Sequence, residues 1–262
     1  MVVQESCDRA GGVVIAAARV EALKLTRSLV GLVATAAIIG GTLVLVWGIT
    51  AALRSGNEEV IAQMGPNAAL DWPGLLAIGT QIIAAGGMVG FGVVLTWILG
   101  REFTDGTITG LFALPVSRGL IAGAKMGVYA VWVLGVSLAL TAGLGLLGAV
   151  LGYGAPTPDT WAGLGRLLGL GVLTGAVAVP VAWVATVARS VLAGVGATVG
   201  LVVMAQVGVV AGAAGWFPLA APAMWALDPA HVTGAQLALV MVIPAVFVPL
   251  TWISWQRVEL DR

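Results

Sequence analysis

The chain has 262 residues, of which 60% are hydrophobic and only 9% are charged, with equal numbers of acidic and basic residues. Its mean hydropathy is +1.05, whereas a soluble globular domain is typically about 45–50% apolar and about 25% charged. These values exclude a soluble globular domain and a strongly basic nucleic-acid-binding protein, and they indicate a membrane protein with several spans. The single cysteine, Cys7, excludes an intrachain disulfide and cannot form a metal site alone.

Within and just after the first 28 residues, the segment VVIAAARVEALKLTRSLVG is predicted to form an amphipathic helix beside the membrane. Ile15, Ala18, Ala22 and Leu25 recur at intervals of three or four residues, and charged residues lie mostly between them. This pattern is typical of a helix in the membrane interface, with its basic side chains near anionic headgroups. The alternative is that the segment simply extends the first span. Acidic and basic residues are mixed within it, so we expect no cleaved secretory signal.

Six apolar runs are each long enough to cross a hydrocarbon core of about 30 Å, which takes about 20 helical residues. They are approximately Leu29–Leu53, Gly74–Leu99, Met126–Leu151, Leu164–Val187, Val191–Ala214 and Ala235–Trp255. Backbone polar groups in lipid must pair within their own segment, so each run is predicted to be a helix. The predicted fold class is therefore all-α, a polytopic membrane protein with six transmembrane helices.

The basic residues predict how these helices are oriented. If the N-terminus is inside, ten of the twelve Lys and Arg residues also lie inside, and only Arg54 and Arg166 lie outside. Short loops rich in Lys and Arg remain in the cytoplasm. We therefore expect both termini to be cytoplasmic.

The apolar runs contain few polar groups. Arg166 is the only charged residue predicted within one, and it lies near the end, where its side chain can reach the interface. The deepest polar side chains are neutral, and as candidates for a substrate pathway they are Thr80, Gln81, Thr141, Thr174 and Gln206. Because ion-coupled carriers usually keep ionisable residues within their spans, a transporter of this composition is expected to draw its energy from elsewhere.

Two glycine-rich motifs are not expected to bind nucleotides. Gly143–Gly148 has G-x-G-x-x-G spacing but lies within the third apolar run, without the strand and acidic partner of a dinucleotide site. Gly119–Lys125 has the wrong spacing for a phosphate loop. His231, the single histidine, has no cysteine or carboxylate cluster near it in the sequence. We expect no catalytic residue, metal site or cofactor in this chain.

One polar stretch, GREFTDGTITGLFALPVSRGLIAGAKM, resembles the loop between the second and third spans of ABC-2-type permeases, the membrane subunits of a class of ABC exporters. The residues that match the family pattern are Glu102, Gly106, Thr107, Leu111, Leu114, Pro115, Ser117, Arg118 and Lys125. The ALKLTRS before the first span is similar to the opening helix of that family. The resemblance implies a type V-like bacterial exporter with a single permease domain over residues 1–262. Residues 1–28 would be its cytoplasmic N-terminus, 29–255 its six spans and 256–262 its cytoplasmic tail.

In that family the inner loop forms a short coupling helix that docks in a groove of a separate ATPase. The docking residues implied by the resemblance are Arg101, Glu102, Phe103, Asp105, Gly106, Thr107, Leu111, Phe112, Leu114, Pro115, Ser117 and Arg118.

The local chemistry of the loop agrees with a short helix. Thr104 or Asp105 is suited to cap its start, and the helix should stop before Pro115, because a residue preceding proline avoids the α region. The loop also contains an apolar patch, which we expect to need a partner or the membrane interface: Phe103, Ile108, Leu111, Phe112 and Leu114. The alternative is an ordinary loop whose arginines only fix the topology.

The last outer loop, GWFPLAAPAMWALDPAH, is apolar and rich in proline. The resemblance implies short re-entrant helices that cover the outer end of the pathway, with Trp216, Phe217 and Trp225 as a candidate lid. Such backbone is tolerated within a membrane only where protein or water covers it. The alternative is an interfacial loop.

The sequence therefore predicts the permease subunit of an ATP-driven exporter in the bacterial cytoplasmic membrane. The expected substrate is hydrophobic or amphiphilic, such as a drug, an antibiotic peptide or a lipid. The expected partners are two ATP-binding subunits, which bind ATP and Mg, a second permease copy or a paralogue, and membrane lipids, but no nucleic acid. Two alternatives are an ATPase-independent carrier or channel and a membrane scaffold or sensor subunit.

Overall fold

The structure, a computed structural model, describes residues 2–65, 68–113 and 116–258. These residues form helices joined by short turns, and no strand occurs among them. The predicted all-α fold class is confirmed, because six helices in the described part of the chain are long and apolar enough to cross a membrane.

The α-helices are numbered in chain order. They are α1 (Val2–Thr26), α2 (Leu29–Ala36), α3 (Thr42–Arg54), α4 (Glu58–Met64), α5 (Trp72–Thr104), α6 (Ile108–Phe112), α7 (Arg118–Val150), α8 (Pro158–Val177), α9 (Pro180–Val187), α10 (Val191–Val210), α11 (Ala221–Leu227), α12 (Gly234–Val240) and α13 (Val242–Gln256). The π-helical turn Ala37–Gly41 joins α2 to α3. The six spans are α2 with α3, α5, α7, α8 with α9, α10, and α12 with α13. The end of the bundle that carries α1 and the end of α13 is called the terminal end, and the opposite end is called the distal end.

α1 is a separate helix rather than an extension of the first span. It ends at Thr26, and Ser28 then adopts an extended conformation with φ −86° and ψ 145°. The Ser28 hydroxyl accepts a hydrogen bond from the Gly31 N–H at 2.9 Å, which caps the start of α2. The chain turns between the two helices, and α1 packs along α7.

The second and third spans are longer than predicted. Their apolar runs end at Leu99 and begin at Met126, but α5 continues to Thr104 and α7 already begins at Arg118. The additional turns carry charged residues, and the predicted spans were shorter because an apolar run ends where charged residues begin. The helices continue because those charges have partners inside the protein, as described below.

The fourth and fifth spans also depart from their predicted bounds. The fourth begins at Pro158 instead of Leu164, and it is divided before Pro180, whose ring nitrogen has no N–H for the helix. The fifth ends at Val210. Gly212 follows it with a φ of +78°, a left-handed conformation that favours glycine, and turns the chain away from the helix axis.

α5 lies at the centre of the bundle and packs against α7, α8, α9 and α10. Glycine permits several of these close contacts. A Cβ added at Gly92 of α5 would overlap Thr198 of α10, and one added at Gly148 of α7 would overlap the ring of Trp72. Small residues let helix backbones approach each other in a membrane. The first, fifth and sixth spans are much less enclosed, so they form the outer surface of this single chain.

Candidate functional site

Four charged side chains from three helices meet at the terminal end of the bundle. Glu21 and Lys24 belong to α1, Glu102 to α5 and Lys125 to α7. The Lys125 Nζ lies 2.8 Å from Glu21 Oε2 and 2.6 Å from Glu102 Oε1. The Lys24 Nζ lies 2.6 Å from Glu21 Oε1 and 3.1 Å from Glu102 Oε1. These four residues form the ionic cluster, which joins α1 to the ends of two membrane spans.

The ionic cluster is largely removed from solvent. The side chain of Lys125 is 0% exposed and that of Glu102 is 4% exposed. Lys125 also donates a hydrogen bond to the Ile98 carbonyl at 3.0 Å, so three acceptors surround its ammonium group. Two carboxylates and two ammonium groups leave the cluster neutral. Because burying a charge costs several kcal/mol, such a cluster is tolerated only when its members remain paired.

The ionic cluster shifts the pKa values of Glu21 and Lys24, its two members on α1, and both shifts favour the charged form. Burial by itself would raise the pKa of the Glu21 carboxyl, but Lys125 and Lys24 outweigh this effect and lower the pKa. Burial would likewise lower the pKa of Lys24, but Glu21 and Glu102 raise it above its usual value. Both residues are therefore ionised at neutral pH, and the contact between α1 and the spans is ionic.

We expect the stability of the protein to fall in acid as Glu21 is protonated. A carboxyl whose pKa is lower in the folded state stabilises that state above its unfolded pKa, about 4.3 for glutamate, and this stabilisation disappears as the pH falls through the folded pKa. Thermal unfolding in detergent between pH 3 and 7 would measure the effect. Glu21→Gln should unfold at a lower temperature at pH 7 and should lose less stability on acidification. An identical pH dependence in both proteins would contradict this role of Glu21.

The indole of Trp255 connects the ionic cluster to the rest of the terminal end. The Lys125 Nζ lies 5.8 Å from its ring centroid, and the rings of Phe103 and Phe112 lie 5.6 Å and 6.3 Å away. The Trp255 Nε1 donates a hydrogen bond to Thr186 Oγ1 at 3.1 Å. Trp255 is fully buried. It therefore links α13 with α5, α6, α7 and α9.

The predicted coupling loop contains a short helix, but its start differs from the prediction. Thr104 ends α5 and Asp105 is the residue after it, so neither caps a new helix. Gly106 has a φ of +69° and reverses the chain. α6 then follows Thr107, which makes no side-chain capping hydrogen bond. The predicted capping role of Thr104 or Asp105 is wrong, because α5 runs further than its apolar run.

Most of the apolar patch in this loop faces the bundle. Ile108 is 7% exposed, and Phe103, Leu111 and Phe112 are partly buried against the core. The expectation that these side chains need an external partner is wrong for Ile108 and in part for the other three, because the protein itself covers them. Leu114 and Pro115 lie outside the described residues. The exposed residues of the loop are small or polar: Thr104, Asp105, Gly106, Thr107, Thr109, Gly110, Ala113 and Ser117.

The two arginines of the loop make specific contacts. The Arg101 guanidinium lies 4.5 Å from the ring centroid of Trp97, and it pairs with Asp105 at 3.7 Å. The Arg118 guanidinium lies 4.2 Å from the Phe112 ring and donates a hydrogen bond to the Val258 carbonyl. Arg118 thus connects α6 to the C-terminal segment. An arginine that only fixed the orientation of the spans in the membrane would not need these contacts.

The Ser117 side chain accepts a hydrogen bond from the Leu120 N–H at 3.3 Å. Ser117 is therefore the N-cap of α7 and fixes the point at which the loop re-enters the bundle.

The five candidates for a substrate pathway do not form one site. Thr80 and Gln81 line a distal cavity of about 740 Å³, whereas Thr174 and Gln206 line a separate cavity of about 60 Å³. Thr141 lines neither cavity, and its hydroxyl donates a hydrogen bond to the Ser137 carbonyl of its own helix.

The larger distal cavity combines charged and apolar walls. Asp71, Asp159 and Arg166 line it together with Trp72 and Leu76. Sequence analysis treated Arg166 only as a residue that reaches the interface. In the structure it lies one helical turn from Gly163 on a wall of the cavity, where its charge is available to a bound molecule.

The candidate lid consists of short helical segments rather than a span. Trp216 lies in the 3-10 turn Ala214–Trp216 and is 66% exposed. Phe217 packs against Gly208, and Trp225 of α11 packs against Gly169. α11 contacts α8 and α5, and its last residue Leu227 borders the larger distal cavity together with Pro229, which follows the helix. The segment thus lies beside that cavity, and its action as a lid remains a prediction.

The expectation that the spans contain no buried charge is wrong, because Glu102 and Lys125 lie on α5 and α7. The sequence did not predict that Glu21, Lys24 or Trp255 lies beside Glu102 and Lys125. The only sequence signal was the i, i+3 pair of opposite charges at Glu21 and Lys24, which is common on exposed helices and by itself does not point to a site.

The fold and its buried charges are those of a multi-pass membrane protein with a tightly organised terminal end. A family model described as ABC-2 family transporter protein matches residues 17–206. The chain therefore belongs to the ABC-2 transporter family. It is the membrane component of an ABC transporter and not itself the catalytic subunit, and the family implies an ATP-binding partner. Comparison with curated proteins gives no match.

Proposed function

We propose that this protein is the permease of an ATP-driven exporter that moves a hydrophobic or amphiphilic substrate out of the cytoplasm. The observation that carries the proposal is the attachment of the loop at residues 101–118 to the bundle. Glu102 and Lys125, at the two flanks of the loop, are paired with each other. Phe103 and Phe112 pack on the buried Trp255. A displacement of this loop therefore also displaces the ends of α5, α7 and α13.

The ATPase would act on the exposed face of the loop. In this scheme the partner contacts the small and polar residues around Gly110, while the apolar residues on the other face transmit the motion inward. Alternating access requires contacts that differ between two states. The ionic cluster is suited to this because ion pairs between helices have a strict geometry and lose much of their energy when they separate.

The distribution of basic residues supports a cytoplasmic location for the terminal end. The proposed protein is thus a single permease domain over residues 1–262 in the bacterial cytoplasmic membrane, with both termini inside. Two ATPase subunits, which bind ATP and Mg, would serve a pair of permeases, formed either by two copies or with a paralogue. The sparsely enclosed α10 and α13 offer surface for the second permease.

The larger distal cavity supports an amphiphilic substrate. Its volume of about 740 Å³ lies in the range of small-molecule sites, about 300–1,000 Å³. Apolar walls from Trp72 and Leu76 would contact the hydrophobic part, while Arg166 and Asp159 would face a charged part. In an exporter this cavity would be the exit, with the segment around Trp225 as its cover.

Co-purification with an ATPase tests the proposed function. The tagged full-length chain should retain a stoichiometric ATP-binding subunit after mild solubilisation from its native membrane. The complex, reconstituted in vesicles, should move a fluorescent amphiphile in an ATP-dependent and vanadate-sensitive manner. Transport without the ATPase would instead favour a carrier or channel. A stable complex that hydrolyses ATP but transports none of a panel of amphiphiles would favour a scaffold or sensor.

A further inference from the structure

An apolar groove runs between α1 and α7, beside the ionic cluster. It has a volume of about 820 Å³ and an almost entirely apolar wall. Ala18, Ala22 and Leu25 of α1 form one side, and Gly123 and Gly127 of α7 form the other. The surface between these two walls is open, while Glu21 joins α1 to α7 through Lys125.

The glycines of α7 keep this groove open. A Cβ added at Gly123 or Gly127 would meet no atom within 4 Å. Trp132 and Trp252 lie farther along the wall. An apolar groove of this size on a membrane protein is not left empty, because acyl chains are the surrounding solvent.

A second apolar groove, of about 580 Å³, continues the first along the first span. The two share Leu25, Thr26 and Trp132, and the second extends from Gly31 to Gly40. Nine residues of helix correspond to about 14 Å, which is about half of a hydrocarbon core of about 30 Å. The second groove by itself therefore has about the depth of one leaflet.

One basic side chain lies on the α1 wall of the groove, and others lie nearby. Arg19 lines it and makes no ion pair with any residue that the structure describes. Lys24 of α1 and Arg27, which follows α1, border an adjacent depression. Positive charge on this wall and an apolar surface as deep as one leaflet complement a lipid with an anionic headgroup.

We propose that the combined groove binds one anionic phospholipid of the adjacent leaflet, with an acyl chain against Gly123 and Gly127 and the phosphate near Arg19. Ala22 and Leu25 contact the chain while Glu21 and Lys24, on the same helix, remain in the ionic cluster. The bound lipid completes the packing of α1 against α7. The site is independent of the proposed ATPase coupling and requires no transport activity.

Native mass spectrometry of the delipidated full-length protein tests the site, with phosphatidylglycerol and phosphatidylcholine as probes. The wild-type protein should retain one phosphatidylglycerol more strongly than phosphatidylcholine. Gly127→Leu fills the groove and should abolish the retained adduct. Gly135→Leu is the matched control, because Gly135 lies on the same helix, also has open space around its missing Cβ and lies outside the groove.

Arg19→Gln provides a second test that leaves the groove open. One basic residue near an anionic lipid surface contributes about 1 kcal/mol, so its loss should weaken phosphatidylglycerol retention by about fivefold. Phosphatidylcholine retention should stay the same, and Arg257→Gln, at the same end of the bundle, should resemble the wild type. Equal retention in Gly127→Leu and Gly135→Leu, or an unchanged lipid preference in Arg19→Gln, would overturn the proposal. The proposal would also be overturned if the lipid-free protein were a dimer that Gly127→Leu disrupts and Gly135→Leu does not. A second copy of the chain would then occupy the groove.

Discussion

Lys125→Met should destabilise the protein by about 3–5 kcal/mol, the usual effect of removing one partner from a buried ion pair. The substitution leaves the carboxylates of Glu21 and Glu102 buried with only Lys24 between them. Glu102→Gln should also be destabilising, because Lys125 then keeps a single carboxylate. Combining the two substitutions restores neutrality, since Glu21 and Lys24 remain paired. The double variant should therefore lose less stability than the sum of the single variants, with a coupling energy of about 1–3 kcal/mol.

Lys24→Met is the matched control for this experiment. It removes an ammonium group from the same cluster, but its side chain is 29% exposed, whereas that of Lys125 is 0% exposed. Pairs near the surface contribute only about 0–1 kcal/mol, so the loss should be clearly smaller. Unfolding in mixed micelles measures these differences. Equal losses of stability in Lys24→Met and Lys125→Met would show that burial does not determine how much each lysine stabilises the protein. Strictly additive effects of Glu102→Gln and Lys125→Met would show that these two residues are not energetically coupled.

Gly110→Arg should weaken binding of the ATPase partner by at least about tenfold while leaving the permease folded. Gly110 lies on the exposed face of α6, and a Cβ at this position would meet no atom within 4 Å. Arginine also favours a helix by about 1 kcal/mol relative to glycine. A bulky charged group there would separate two docked surfaces without disturbing the core. Partner retention on the immobilised permease, compared with thermal stability of the same preparation, measures the effect.

Glu59→Arg provides a surface control at the distal end, where α4 is exposed. It should retain the partner at the wild-type level. Wild-type retention by Gly110→Arg would refute docking at this loop. Leu111→Asp and Glu102→Ala are less selective tests, because Leu111 packs partly against the core and Glu102 belongs to the ionic cluster. Both should lower stability as well as coupling.

The sequence by itself determined the class of this protein and the number of its spans. Hydropathy over about 20 residues is a local property, so each apolar run predicted a helix wherever the others lay. The amphipathic pattern predicted a helix before the first span but left open whether that helix simply extends the span. The cap at Ser28 in the structure shows that the two are separate. The pattern around Gly106 and Thr107 indicated the family, which the match over residues 17–206 confirms.

Only the tertiary structure decided what the charged residues and the loop do. Glu21 and Lys125 are 104 positions apart, and Lys24 and Glu102 are 78 positions apart. Whether such charges are exposed or paired depends on the rotation and height of three helices relative to one another. No local pattern contains that information. The same limit applies to Ile108, whose apolar side chain could have faced a partner but is buried in the core of the bundle. Local composition thus set the membrane fold, while packing between distant helices set the ionic cluster.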